Sequence, residues 1–191
     1  MTRHWLLGVN VAVGVFIAGA VTAPLLAALG WVQEADWLYA AYHLTCHQWA
    51  FRSFFVLGGQ AVYSIEQLQQ MGLEPFGFVG QPGVGWKMAV CERDFAIYLS
   101  VLIAGLVYAR HRSVRGLGVP QYVVLILPMA IDGFTQLFGW RESTWELRVL
   151  TGALFGLASA WLIYPRFDAA LPAQQYAPDK ACAPQIQQPR G

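Results

Sequence analysis

Residues Trp5 to Val32 read WLLGVNVAVGVFIAGAVTAPLLAALGWV, without one charged side chain. A helix needs about 20 apolar residues to cross roughly 30 Å of hydrocarbon, and this run exceeds that. A cleaved signal peptide would have a shorter apolar core and a start more basic than Arg3 and His4. The run therefore reads as a membrane span, and the rest of the chain agrees. Of 191 residues, 57% are apolar and 14% aromatic, while only 12% are charged, about half the usual share in soluble domains. The 12 lysines and arginines nearly cancel the 11 acids. Disorder, a basic nucleic-acid-binding face and a disulfide-dense secreted domain are excluded. A mean hydropathy of +0.44 fits several apolar spans diluted by polar segments.

Working outward, the expected fold is an all-α integral membrane bundle in one domain, residues 1–166. Four spanning helices are predicted at about 5–30, 89–109, 117–138 and 148–165. The second opens with Cys91, Glu92, Arg93 and Asp94; the third carries Pro120, Pro128 and Asp132. Residues 33–88 form an extra-cytoplasmic segment. Within it, Ala35–Leu57 is expected as an interfacial or re-entrant helix, or as a fifth span. Ser64–Pro75 reads as a short soluble helix and Phe76–Gly85 as a Gly/Pro-rich loop. The Ala/Pro/Gln-rich residues 167–191 read as a disordered tail, with Cys182 a bystander.

Basic residues in short loops face the cytoplasm. Arg110, His111, Arg112 and Arg115 form the densest basic cluster, so that loop is predicted inside and residues 60–88 and 141–143 outside. The protein is then a multi-pass cell-membrane protein with its unusual residues gathered at the extra-cytoplasmic end. Trp5, Trp31, Trp37, Trp140, Trp145 and Trp161 fall near span ends, as an aromatic belt requires. Thr151, Gly152 and Gly156 give a helix-packing face.

Ionisable groups at membrane depth usually mark function. Cys46, His47, Cys91 and Asp94 are the ligand types that zinc or another transition metal accepts, with His43 a spare on the face of His47. A Cys46–Cys91 disulfide or thiol–disulfide redox pair is a second reading, and cysteines in a plain bundle core a third. Asp132, Gln136, Arg141, Glu142 and Arg148 make a second constellation, a polar pocket for an amphiphilic or lipid-like ligand, with Asp132 as base or ligand. An Asp132–Arg148 or Asp132–Arg93 pair that only fixes helix register is the alternative. No phosphate-binding glycine loop, H-E-x-x-H, nucleophile elbow or haem-attachment motif is found, so catalytic residues stay unassigned.

Several motifs occur in order: Cys46-His47-Gln48 with Arg52-Ser53-Phe54-Phe55 and Gly58, then Val90-Cys91-x-Arg93 with Ile97-Tyr98. Asp132-Gly133-x-Thr135-Gln136, Gly139-x-Arg141-Glu142-Ser143, Arg148 and Thr151-Gly152 follow. Over Tyr39–Gly156 the chain resembles a family of predicted bacterial and archaeal membrane proteins, domain of unknown function 2085. The resemblance implies a small prokaryotic multi-span bundle and brings no established activity. In that family the residue three after the Cys91 equivalent is often a further cysteine. Here it is Asp94, which keeps zinc open and excludes a C-x-x-C redox couple. The expected function is an outward-facing Cys/His/Asp metal site beside the polar pocket. The alternative is a non-catalytic subunit of a larger electron-transfer or photosynthetic membrane complex. The expected partners are the lipid bilayer and, under that alternative, other membrane subunits; nucleic acid is not among them.

Overall fold

The computed structural model describes residues 4–171. The chain is mostly helical. Helix α1 (His4–Ala28) is followed by a shorter helix, α2 (Val32–Tyr42). Strand β1 (Ser53–Val56), helix α3 (Ile65–Gln70), β2 (Gly80–Gln81) and β3 (Gly85–Cys91) come next, and α4 (Glu92–Arg110), α5 (Val119–Leu137) and α6 (Trp145–Ala170) complete the fold.

The expectation of an all-α protein is corrected by the sheet, an antiparallel β1-β3-β2. Strand β3 gives no alternating signal because it is covered on both sides: Gly85, Lys87, Met88, Ala89 and Val90 are all buried. It also takes the residues expected to open the second span, so α4 starts only at Glu92. Ala35–Leu57 is not one helix. Its helical part, α2, has 11 residues and rises about 16 Å at 1.5 Å per residue, half a bilayer core, so it is not a fifth span. It folds back along α1 instead, and the Tyr42 hydroxyl donates to the Phe16 carbonyl at 2.5 Å over Gly19.

Two helices among the described residues, α1 and α6, are long and apolar enough to cross a membrane. Helices α4 and α5, expected as the second and third spans, fall outside that measure. Glu92, Arg93, Asp94 and Arg110 load the ends of α4, and Gln121, Asp132 and Gln136 dilute α5. Helix α6 continues through Pro165 to Ala170, beyond the expected end at 165. The tail from residue 172 onward, with Cys182, lies outside the described residues.

The helices meet through small residues. A Cβ on Gly156 would lie 2.5 Å from the Ile97 carbonyl oxygen, and one on Gly152 2.7 Å from that of Arg93, so α4 and α6 touch backbone to backbone. At one end of the bundle Asp168 accepts from Trp5 Nε1 (2.8 Å) and Tyr108 Oη (2.9 Å) and pairs with Arg112 (3.2 Å). The sheet and α3 cap the other end around Ala50, Phe51, Phe55, Tyr63, Leu68 and Val84. Here the expected soluble helix is found: Ser64 and Gln67 form a reciprocal capping box at the start of α3.

Candidate metal and polar site

Cys46 follows the end of α2, in a segment fixed by three hydrogen bonds. Gln48 sits at φ 56, a conformation non-glycine residues rarely adopt. Its side chain donates to the Tyr39 carbonyl at 2.7 Å, Tyr39 Oη donates to the Lys87 carbonyl at 2.5 Å, and Lys87 Nζ donates to the Gln48 carbonyl. These bonds tie α2 and the Cys46 loop to β3. The β1–β3 register sets Ser53 opposite Cys91, and Cys91 is both the last residue of β3 and the N-cap of α4.

The two cysteines are thereby brought together as free thiols. The sulfur of Cys46 accepts the Cys91 N–H at 3.3 Å, and the sulfur of Cys91 accepts the Asp94 N–H at 3.4 Å. Ligand atoms of Cys46, Cys91 and Asp94 all lie within 4.8 Å of one another. Two thiolates on a tetrahedral zinc with 2.3 Å bonds are separated by roughly 3.8 Å, so closing this group requires only small side-chain motion. The hydrogen bond between the two sulfurs holds the Cys46 thiol below its usual range, against desolvation, and pushes Cys91 above it. Lys87, 3% exposed, is brought down to about 8 by burial, and the charge on Cys46 works against that shift.

His47, the fourth expected ligand, is outside this group. Its ring is exposed and packs against Trp49 with centroids 5.4 Å apart. His43, the spare ligand, caps α2 and is likewise exposed.

The second constellation is assembled, in a different pairing from either expected one alone. Asp132 is 1% exposed. One carboxylate oxygen accepts from Arg141 at 2.6 Å; the other accepts from Arg93, from Ser143 at 3.0 Å and from Gln136 at 3.0 Å. The Asp132–Arg93 pair is present, whereas Arg148 pairs with Glu92 at 2.8 Å and donates to the Phe51 and Ser143 carbonyls. Both oxygens of Asp132 are thus engaged, which leaves it poorly placed as a free base. Glu142 is exposed and makes no ion pair among the described residues. It lines a cleft of ≈ 340 Å³ with Tyr63, Ser64, Glu92, Thr144 and Arg148.

Sequence reasoning did not single out Glu92 and Lys87. Glu92 carried a signal: an acid beside Cys91, at the start of a predicted span, needs a cation, and Arg148 supplies it. Lys87 carried none, because its burial follows from a strand that the sequence does not announce.

Residues 84–162 match the family described as predicted membrane protein DUF2085. An uncharacterized protein of Methanocaldococcus jannaschii is 33% identical over 175 residues, covering 87% of this chain and 94% of its own length. A second uncharacterized protein, from Methanothermobacter thermautotrophicus, is 38% identical over 82 residues, 41% of this chain and 71% of its own. No solved structure matches the chain. With a relative of that identity aligned along nearly its whole length, the chain belongs to the DUF2085 family of predicted membrane proteins.

Proposed function

We propose that the protein is a four-span, multi-pass membrane protein that holds a zinc or other transition-metal ion at its extra-cytoplasmic end, beside a polar pocket for an amphiphilic ligand. The observation that carries this reading is the approach of Cys46, Cys91 and Asp94, whose donor atoms lie within 4.8 Å of one another. The donor set fits: thiolate and carboxylate both bind zinc, and each sulfur already accepts a backbone N–H that favours its ionised form. His47 joins as a fourth ligand only if its ring leaves Trp49.

Support for α4 and α5 as spans comes from their surfaces. Leu99, Ile103, Leu106 and Val107 on α4, and Val123, Val124, Leu127, Ile131 and Phe134 on α5, are all exposed. Asp132 is the one buried residue of α5. Such faces suit hydrocarbon, and contiguous exposed apolar side chains of this kind mark a membrane or partner contact. The Arg110–Arg115 loop favours the cytoplasmic side for the Asp168 end, which leaves the cysteines outside. The pocket reading draws on Glu142 and Arg148, which line the cleft, and on Arg141, held beside it by Asp132, to which Gln136 also donates.

Metal analysis of the purified protein, with Cys91→Ser as control, tests the claim. One equivalent of metal is expected in the wild type and less than a tenth of that in the variant; a metal-free wild type that stays metal-free after incubation with zinc removes it. The free, adjacent thiols also favour a second reading, a Cys46–Cys91 thiol–disulfide pair. Under that reading, alkylation and mass spectrometry after mild oxidation find the two cysteines joined.

A further inference from the structure

We infer that the metal centre, taken as proposed above, keeps an open fourth position that receives the anionic oxygen of a small carboxylate or phosphate, with Arg52 as the second contact for that anion. This deepens the metal-site reading and depends on it. Three protein donors approach one another, and the histidine that would close a tetrahedral set is exposed and packed on Trp49. Three protein ligands with a free position is the arrangement of zinc sites that take up an exchangeable ligand, whereas structural sites use four.

Arg52 supplies the anion preference. It precedes Ser53, the residue in register with Cys91. Its guanidinium lies over the rings of Trp49 (4.8 Å) and Phe51 (5.2 Å), which holds it in place. Its side chain makes no hydrogen bond among the described residues, and its Nε is buried without a partner. The other arginines of this end, Arg93, Arg141 and Arg148, are each committed to a carboxylate. A half-buried guanidinium in a fixed position, with unused donors, is a natural carboxylate or phosphate contact. Charge agrees. Two thiolates and one carboxylate around a divalent ion leave a net charge of −1; Lys87 feels the charge of Cys46 and Arg52 that of Cys91, so both bring positive charge to the site, with the exposed Glu142 also acting on Arg52. The bound species can be a free anion or the phosphate of a lipid headgroup; the chemistry at the metal and at Arg52 is the same.

The test uses the full chain in detergent, loaded with Co(II), whose visible absorption reports the coordination set. Imidazole and inorganic phosphate are titrated separately, and each is expected to shift the spectrum. Arg52→Gln should weaken phosphate about tenfold, the loss of one charge-assisted contact, and leave imidazole within about twofold. An unchanged starting spectrum shows that the variant is folded. Nanodiscs with phosphatidic acid in place of free phosphate identify the source of the anion: a shift with either probe supports the inference. If Co(II) does not bind, the metal-site reading fails. If it binds, neither ligand shifts the spectrum and His47→Ala does, the site is closed by His47 and the open position is overturned. If phosphate binding ignores Arg52→Gln, the role of Arg52 is overturned.

Discussion

The cap and the bundle are two solutions to the same problem, joined at Cys91. The cap, from α2 to β3, is built as a small water-soluble unit is built. It buries aromatic and aliphatic side chains around Phe51, Phe55, Tyr63 and Leu68, and closes a helix end with the Ser64–Gln67 box. In the bundle, many large apolar side chains point outward, and small residues such as Gly152 and Gly156 occupy the contacts between helices. Its buried polar pairs, Asp132 with Arg93 and Arg141 and Glu92 with Arg148, take the place of an apolar centre at one end. On the four-span reading proposed above, the difference lies in the solvent. Where water surrounds the chain, apolar burial drives packing; where lipid does, close backbone contact and polar pairing hold helices together.

The largest expected way to break this contrast is Asp132→Ala. It leaves Arg93 and Arg141 facing each other without their carboxylate, at a cost of about 3–5 kcal/mol. Thermal unfolding in mild detergent is expected to show the bundle melting far below the wild type. A shift of only a degree or two would mean that water already neutralises those arginines. A smaller effect is expected for Gly156→Leu, which forces a side chain against the Ile97 carbonyl. Overpacking of this kind costs about 1–3 kcal/mol, and crosslinking between α4 and α6 should fall in proportion. The smallest is Ser64→Ala in the cap, which removes one cap hydrogen bond and costs about 0.5–1 kcal/mol. That loss should appear as faster hydrogen exchange in α3 with the bundle unmoved. Equal loosening of both regions would show that cap and bundle unfold as one body.

The contrast also explains what the sequence disclosed. The charge-free run of α1 and the Ser-Ile-Glu-Gln start of α3 are local signals, readable from neighbouring residues alone. The sheet was illegible because β3 is buried on both faces and because β1 departs from regular register between Ser53 and Phe55. Cys46, Cys91 and Asp94 were recognisable by type, and their meeting depends on that unread register. The partner of Asp132 was half legible: Arg93 was among the candidates, while Arg141 and Ser143 arrive through the turn after α5. Arg148 was misassigned in one expectation because Glu92 had gone unweighed beside the cysteine.

The Asp168 cluster has a consequence for how the protein is made. Its acceptor lies near the end of α6, and its donors, Trp5, Tyr108 and Arg112, lie on α1, at the end of α4 and just after it. During synthesis the first helix enters the membrane long before its partner carboxylate has been translated. These ends of α1 and α4 therefore wait, loosely held, until the ribosome has passed residue 168. The last turns of α6 act as the latch of the assembly, and a nascent chain stopped short of them inserts without locking.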